Sequence, residues 1–323
     1  MSGLGTLSAS DGLDALPVQS PGSRGWRRFR ANRLATGSGV FLILLVAVML
    51  ATLPVTTAGF DAQKLALNRQ PPSWAHLGGY DALGRDVLVR CLFGGLISLS
   101  VGIGAALLSV TIGVLWGAIA ALAGGRADNV MMRVVDILYG LPYILLVILL
   151  KVAFERPLTG LVKWMGLFQE RHDAQVANIL ILLVAIGSVS WLTMARVIRG
   201  QVLSLREMPF VEAARAAGVG PTRILVRHLL PNLIGPIVVY ATLTVPQAIL
   251  QESFLSFLGI GVARPIPTWG SMAADGVAAI NPVVSFWWML LYPCLFLGLT
   301  LLALNFVGDG LRDAFDPRMV SKT

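Results

Sequence analysis

The sequence predicts an all-α polytopic membrane protein with six transmembrane helices, and three observations support this fold class. Hydrophobic residues make up 56% of the 323 residues, whereas charged residues make up only 13%. A soluble domain carries roughly 25% charged residues, so too few polar side chains are present here to cover a water-soluble globule of this size. The apolar residues also form six long runs that are almost free of charge. Lipid must therefore cover much of the folded chain.

Each apolar run can supply one transmembrane helix, because a bilayer core about 30 Å thick needs about 20 helical residues. A single central Arg, Lys or Asp would cost roughly 2.5–3.5 kcal/mol, and the runs avoid this cost. With approximate ends, the runs cover residues 34–60, 91–125, 137–150, 177–195, 229–251 and 283–306. The third is short, so we expect it to extend past Lys151, whose ammonium can reach the interface. The second is too long, so we expect it to bend or protrude near Gly94–Gly95 and Gly124–Gly125.

The distribution of basic residues predicts the orientation of these helices. With six spans, 16 of the 25 Lys and Arg residues fall on the side of the N-terminus and 9 fall on the other side. The positive-inside rule therefore predicts that both termini are cytoplasmic. The predicted organisation is a cytoplasmic N-terminal tail (1–33), a first transmembrane anchor (34–60), an outer loop (61–90), a five-helix core (91–306) containing a cytoplasmic loop (196–231), and a cytoplasmic C-terminal tail (307–323).

Two segments outside the spans carry further predictions. Residues 1–33 lack the apolar core of a cleavable signal peptide, and the Gly/Ser-rich stretch before Arg24 is typical of a disordered tail. In the outer loop 151–176, apolar residues recur at helical spacing opposite charged ones, which favours a helix lying in the outer interface. These apolar residues are Leu158, Leu161, Trp164, Met165 and Phe168. A plain connecting loop is the alternative.

Small residues and prolines inside the spans predict how the helices pack. Gly113 and Gly117 form a GxxxG pair in the second run, which favours close packing against a neighbouring helix. Pro236 and Pro246 can loosen the fifth run where a translocation path opens, and a static kink is the alternative interpretation.

The loop between the fourth and fifth runs predicts two helices outside the membrane. Pro209 suits the first turn of a helix and Glu212 lies near the positive end of its dipole. Gly218 suits a C-terminal cap, after which Pro221 can open a second helix that runs to Pro231. Four residues of high helix propensity and little bulk lie between, namely Ala213, Ala214, Ala216 and Ala217. Such a helix can lie in the groove of another protein, with Glu212 and flanking arginines fixing its register, or it can be a plain amphipathic connector.

Residues of this loop resemble the EAA signature of the permease subunits of ATP-binding-cassette (ABC) importers. The matching elements are Glu212-Ala213-Ala214, Gly218 and Leu230-Pro231. In that family the loop forms the coupling helix that docks on the ATPase subunit. The resemblance therefore implies ATPase-coupling roles for Glu212, Ala213, Ala214, Arg215, Gly218 and Pro231. The general pattern has Ile where this chain has His228, and the stretch Arg227–Asn232 resembles the peptide-transporter branch.

Three further stretches resemble the C-type subunit of the dipeptide and oligopeptide (peptide/nickel) permeases. They are Gly79–Leu88, Glu252–Gly259 followed by Pro267–Gly270, and Gly308–Asp313 followed by Asp316–Arg318. Tyr80 replaces the Thr of that branch, and Leu96 stands where the branch often carries Arg. The resemblance covers about residues 79–318 and implies the type I ABC-importer permease fold in a bacterial inner (plasma) membrane.

The outer motifs supply candidate residues for the pathway or for docking of a binding protein. Asp81 can cap the second span and Asp86 can favour its dipole, with Arg85 paired nearby, or all three can face an external protein. Glu252 is a functional candidate if it lies at membrane depth, and it is merely interfacial if its helix ends before it. Trp269 can stack on a passing substrate or anchor at the membrane interface.

The resemblance implies a transport function in which other chains supply the ATPase. The G-x4-G-K-[ST] phosphate loop is absent from the sequence, so we expect no catalytic residue, metal site or cofactor in this chain, and ATP and Mg²⁺ on partner subunits. The expected partners are a homologous second permease subunit, two cytoplasmic ATPase subunits, an external substrate-binding protein and membrane lipid. Peptides are the expected cargo, with a nickel or other metal chelate, or another small solute, as the alternative. A helix-turn-helix that binds DNA is the remote alternative for residues 213–230.

Overall fold

The computed structural model describes residues 21–165, 170–281 and 283–315 of the chain, and these residues form a bundle of helices. The helices are α1 (Pro21–Ala31), α2 (Arg33–Ala51), α3 (Leu53–Gly59), α4 (Val87–Ala123), α5 (Gly125–Tyr139), α6 (Tyr143–Met165), α7 (Glu170–Arg206), α8 (Pro209–Ala216), α9 (Pro221–Ile224), α10 (Leu230–Phe257), α11 (Trp269–Ala278) and α12 (Trp288–Phe315). The prediction of an all-α fold is confirmed. The first 20 residues, Phe168 and Asp316–Arg318 lie outside the described residues, so the structure does not test the predictions made for them.

Among the described residues, five helices are long and apolar enough to cross a membrane, and the bent pair α5 and α6 brings the count to six. The five are Arg33–Ala51, Val87–Ala123, Ala174–Arg206, Pro221–Phe257 and Trp288–Ala314. The axes of α5 and α6 differ by 102°, and the break falls at Gly140–Pro142. Proline removes a helical hydrogen bond, so a bend at this point has a local cause. The six-span prediction therefore agrees with the structure when the bent pair is counted as one span.

Most helices extend beyond the apolar runs that indicated them. The helix α7 continues to Arg206 and so contains the first third of the predicted loop 196–231, and α12 continues into the predicted tail 307–323 as far as Phe315. Charged residues are compatible with a helix outside the hydrocarbon core, so hydropathy marks only the central part of each helix.

The predicted outer loop 151–176 differs most from the structure. Residues up to Met165 belong to α6, which passes through Pro157 and includes the predicted interface residues from Leu158 onward. The Nζ of Lys151 donates to the backbone carbonyls of Ile260 and Gly261, which follow the end of α10. The predicted helical conformation is confirmed as far as Met165, so the plain connecting loop is wrong for these residues, and the position in the interface stays a prediction.

The first predicted span, 34–60, is interrupted. The helix α2 ends at Ala51, and α3 begins around Pro54, whose missing N–H suits a first helical turn. The predicted N-terminal tail also contains α1, so the residues 21–23 that we predicted to be disordered are helical.

The core of the bundle is the contact between α4 and α7. Gly113 lies against Met194 and the carbonyl of Trp191, and Gly117 lies against the carbonyl of Ala195. A Cβ atom at either glycine would overlap these atoms, so the prediction of close packing is confirmed. This pair of helices positions α8 and the turn between α4 and α5, because α8 follows α7 directly in the chain and the turn follows α4.

Candidate functional site

The helix α8 begins and ends where the sequence predicts. Pro209 occupies its first turn, and Gly218 follows its last turn with a φ of +77°. The N–H of Gly218 donates to the carbonyl of Arg215 (2.9 Å), and the N–H of Val219 donates to that of Ala214 (3.1 Å). These bonds form the glycine-dependent helix end known as a Schellman motif, which confirms the predicted C-terminal cap.

Two faces of α8 have opposite characters. Val211 is fully buried in an apolar cluster built by α7, α9 and the start of α10. Other buried members of this cluster are Ile198, Val202, Ile224, Leu225 and Leu229. Glu212, Ala213 and Arg215 are exposed, while Ala214 is half-buried. The helix is therefore fixed by one side chain and leaves a small-residue, acidic face free.

The second predicted helix of this segment does not end at Pro231. From Pro221 the chain makes one helical turn and then a wider turn over Leu225–Leu229, in which the N–H of Leu230 donates to the carbonyl five residues earlier. The exposed Pro231 then lies in the first turn of α10, where a backbone N–H is not needed for a hydrogen bond within the helix. Because α9 runs directly into a membrane span, no separate second helix is available for the DNA-binding interpretation.

Two arginines of α7, the helix that leads into α8, bind the neighbouring helices α5 and α4. Arg199 of α7 binds Asp128 of α5 through two hydrogen bonds of 2.6 Å each. Arg206, the last residue of α7, donates to the carbonyl of Ala121 at the end of α4 (2.8 Å). Sequence reasoning missed these contacts, because it treated both arginines only as indicators of orientation. The turn at Gly124, which has a φ of +63°, brings Asp128 back toward α7.

A cavity of about 480 Å³ lies between the α5–α6 bend, α7 and α10. Its polar lining residues are Tyr139, Tyr143, Ser190, Thr193, Tyr240, Thr244, Gln247 and Gln251. The hydroxyl of Ser190 donates to Oε1 of Gln251 across the cavity wall (3.2 Å). None of its lining residues is Asp, Glu, Lys, Arg or His. Sequence reasoning missed this site, although two glutamines four residues apart in an apolar run indicate a polar helix face.

At the opposite end of the bundle, Asp81 is the centre of a buried charge cluster. Its Oδ1 accepts hydrogen bonds from the N–H groups of Leu83 (2.8 Å) and Arg85 (2.9 Å). Its Oδ2 accepts from the guanidinium groups of Arg85 (2.8 Å) and Arg90. Burial acts to raise the pKa of Asp81, but the backbone bond from Arg85 and the charges of Arg90 and Arg85 outweigh burial and lower that pKa.

The structure gives the predicted capping role of Asp81 to Asp86, while Arg85 pairs with Asp81 as predicted. Asp86, not Asp81, caps the second span, since it accepts from the N–H groups of Leu88 (2.9 Å) and Val89 (3.1 Å). His76 lies 3.0 Å from the other oxygen of Asp86. The cap falls at Asp86 because α4 begins at Val87, and Asp81 instead closes the preceding turn.

Glu252 and Trp269 are both fully buried within this chain. The helix α10 continues past Glu252 to Phe257, so the interfacial interpretation of Glu252 is wrong, and its neighbour Gln251 faces the cavity instead. The carboxylate of Glu252 accepts a hydrogen bond from Ser256 (2.7 Å). It also bonds to Ser98 of α4 and to Thr268, which caps α11, so it joins three helices rather than facing an open path.

Trp269 neither stacks on an open path nor anchors at an interface. Its indole N–H donates to the carbonyl of Cys91 (3.1 Å), and its ring stacks on Phe296 with centroids 6.5 Å apart. The absence of a side chain at Gly95 leaves room for this ring, so the Gly94–Gly95 pair serves close packing and α4 stays one helix. Both predicted roles of Trp269 are wrong because the tryptophan holds α11 against α4.

The family comparisons agree with the motifs and the fold. Residues 113–321 match the family model described as binding-protein-dependent transport system inner membrane component. Residues 20–72 match the model described as the N-terminal transmembrane domain of oligopeptide transport permease C.

Individual relatives cover nearly the whole chain. The dipeptide transport system permease protein DppC of Bacillus subtilis is 42% identical, over 91% of this chain and 85% of the relative. The oligopeptide transport system permease protein OppC of the same organism is 38% identical, over 97% and 96% respectively. OppC of Escherichia coli is 42% identical, over 90% and 89%.

A solved structure shares the fold. The inward-facing methionine ABC transporter MetNI contains a chain that superposes with a TM-score of 0.51 at 18% sequence identity, over 71% of this chain and 97% of that one. This superposition supports the ABC-importer permease fold. By its family models, its relatives and its fold, the chain belongs to the family of inner-membrane components of binding-protein-dependent transport systems.

Proposed function

We propose that this chain is one of two permease subunits of an ATP-driven importer, and that it moves peptides supplied by an external binding protein. The observation that carries this proposal is the exposed face of α8, held outside the spans in a chain 38–42% identical to peptide permeases. The partners would be a second, homologous permease, two ATPase subunits that bind ATP and Mg²⁺, and the binding protein. A metal chelate or another small solute is the competing cargo.

The proposed coupling site is the free face of α8. Small side chains at Ala213 and Ala214 allow close approach of a partner groove, and Glu212 offers a charge to fix the register. The buried Val211 ties α8 to α7 and α10, while the Arg199–Asp128 pair ties α7 to α5. A push on α8 would therefore move the helix ends that surround the cavity, rather than bending a loose loop.

The proposed pathway is the neutral cavity between α5–α6, α7 and α10. Every peptide presents backbone amides, and the side chains of Gln247, Gln251 and Ser190 can both donate and accept hydrogen bonds. Because no charged group lines the cavity, a passing peptide meets no fixed charge that would retain it. One chain supplies part of such a path, and the second permease would close it.

The outer candidates are better suited to shaping a docking surface than to contacting the binding protein. Asp81 and Arg85 are buried and bonded to each other, and the Asp86 side chain is about four-fifths covered. Exposed residues of the same loops, such as Trp74, are the ones accessible to an external protein.

The proposed orientation places both termini and Gly218 in the cytoplasm. It can be tested with single cysteines in a background in which Cys91 and Cys294 are replaced. An impermeant thiol reagent added to intact cells should leave a Gly218→Cys protein unlabelled and should label a Trp74→Cys protein. The reverse pattern would contradict the topology.

Cargo is tested by uptake into cells that lack other peptide importers and that produce the complete transporter. We expect accumulation of a labelled dipeptide or oligopeptide that requires ATP and the binding protein. Gln251→Leu should lower the uptake rate several-fold, since a lost hydrogen bond typically costs about 1 kcal/mol, whereas Gln201→Leu, outside the cavity, should not. Uptake of a nickel chelate without peptide uptake would instead favour the competing cargo.

A further inference from the structure

The first helix forms a basic surface for which the described part of the chain supplies no acidic partner. Residues 15–60 contain no Asp or Glu, and Arg27, Arg30 and Arg33 are exposed. None of the ion pairs among the described residues, defined by an N···O distance of at most 4.0 Å, involves these arginines. The half-exposed Trp26 lies beside them, with the Arg30 guanidinium 5.1 Å from the centre of its ring. Arginines next to a tryptophan at the end of a membrane span are suited to the headgroup layer.

This helix is fixed to the end of the bundle rather than free. Asn32 separates α1 from α2 and caps α2 through the N–H of Ala35, which allows the chain to change direction. Phe29 is buried against Ala35 and α12, and Gly310 of α12 leaves the room that Phe29 and Ala35 occupy. The positions of the arginines relative to the spans are therefore set by packing.

Next to α1, an apolar groove of about 200 Å³ runs between α2 and α12. Gly37, Ser38 and Phe41 line one wall, and Leu299, Leu302 and Phe306 line the other. The spacing of each set places it on one face of its helix. The groove starts within one turn of Ala35 and Gly310, which are the residues that hold α1.

One face of α2 joins the two features. Arg33, Gly37 and Phe41 follow one another at intervals of four residues, so they lie on the same side of α2. A Cβ atom added to Gly37 would meet no other atom within 4 Å. The glycine thus leaves the groove open one helical turn from the exposed Arg33.

We propose that α1 and this groove form a binding site for an anionic phospholipid. The headgroup phosphate contacts Arg27, Arg30 and Arg33, and one acyl chain lies in the groove between α2 and α12. Charge complementarity selects an anionic headgroup, because guanidinium groups bind phosphate oxygens and no ion pair among the described residues neutralises these arginines. The apolar walls select a lipid over a free phosphate or a nucleic acid, neither of which has a hydrocarbon chain to place there.

The test measures lipids retained by the complete transporter after purification from nanodiscs containing equal amounts of phosphatidylglycerol and phosphatidylcholine. Native mass spectrometry should show preferential retention of phosphatidylglycerol by the unaltered complex. Replacing Arg27, Arg30 and Arg33 by Gln should lower this preference about fivefold for each residue. High salt should weaken it in the same direction. Equal retention of both lipids by the unaltered complex, or an unchanged preference in the triple variant, would overturn the proposal.

A matched pair of glycine variants tests the groove without changing charge. Gly37→Leu fills the groove, whereas Gly160→Leu adds the same side chain at an exposed glycine of α6 that also has open space around it but does not line the groove. We expect only Gly37→Leu to reduce phosphatidylglycerol retention. Equal retention by the two variants would exclude the groove as the site of the acyl chain. These readouts do not depend on transport, so they remain informative even if the proposed cargo is wrong.

Discussion

The two ends of the bundle use the charged residues of their motifs differently. At the end predicted to be outer, the carboxylate of Asp81 is buried and bonded to Arg85 and Arg90, so these charges stabilise the fold of the chain itself. At the end that carries α8, Glu212 and Arg215 are exposed. The charges around Asp81 are thus paired with one another inside the chain. The charges of Glu212 and Arg215 instead lie on the surface of α8 and are not used to stabilise the fold of the chain. This difference indicates which motif is available to a partner.

The largest effect is expected from the outer cluster. Asp81→Ala should lower the free energy of unfolding by about 3–5 kcal/mol, because it leaves the buried Arg85 and Arg90 without the Asp81 carboxylate. Asp136→Ala is the matched control, since the side chains of Asp136 and its partner Arg196 are exposed and such pairs contribute about 0–1 kcal/mol. Thermal unfolding of the purified chain measures both. Equal losses would mean that the outer cluster is not a stabilising centre.

The next effect concerns the support behind α8. Arg199→Gln should destabilise the connection between α5 and α7 by about 1.5–3 kcal/mol, since it removes two charge-assisted hydrogen bonds to Asp128. Arg196→Gln, which breaks a more exposed pair with Asp136, should cost less than about 1 kcal/mol. Hydrogen exchange in residues 124–136 reports both. If Arg196→Gln accelerated this exchange more than Arg199→Gln did, the proposed route of coupling through Arg199 would be wrong.

A smaller effect is expected at the end of α8. Gly218→Ala should destabilise the helix end by about 1 kcal/mol, because its φ of +77° is unfavourable for a side chain. Gly220→Ala should be nearly neutral, since Gly220 has a φ of −65° and, like Gly218, has open space for a Cβ atom. Amide exchange of residues 213–219 compares the two variants. Equal amide exchange rates in the two variants would show that the left-handed conformation of Gly218 does not affect the stability of the helix end.

The smallest effect at neutral pH comes from protonation of Asp81. Its folded-state pKa lies below the ordinary value of 3.8, so its stabilising contribution is fully present above that pH and is lost as the pH falls through the folded-state pKa. Exchange of residues 79–90 should therefore accelerate only in strong acid. Asp81→Asn should remove this acid-dependent step, and a persisting step would assign it to another group.

Local signals explain what the sequence could predict. Pro209 and Gly218 bound α8 through backbone preferences that need no distant partner, and the Gly113–Gly117 pair indicates packing by its spacing alone. The contacts that were missed join residues far apart in the chain. Lys151 binds the carbonyl of Ile260, 109 residues away, and Arg199 binds Asp128, 71 residues away.

The same distinction accounts for the incorrect predictions. Trp269 has the composition of an interface anchor, but its partner Cys91 lies 178 residues earlier, so only the tertiary fold reveals its burial. The cavity depends on four helices coming together, so its glutamines indicate a polar face of α10 but not the cavity that this face lines. Hydropathy also fixed the centres of spans better than their ends, because a helix can continue into water without any change in its backbone pattern.

The most direct test of the proposed coupling is ATPase binding by two charge-reversal variants. Glu212→Lys changes the exposed face of α8, and Glu207→Lys makes the same charge change at an exposed residue just before that helix. Loss of a charge-assisted contact worth about 1.5–3 kcal/mol weakens binding roughly 10- to 150-fold. At matched membrane abundance, Glu212→Lys should therefore lose co-purifying ATPase and uptake, while Glu207→Lys should retain both. Full ATPase binding and normal uptake by the Glu212→Lys variant would contradict the proposal that α8 is the coupling helix.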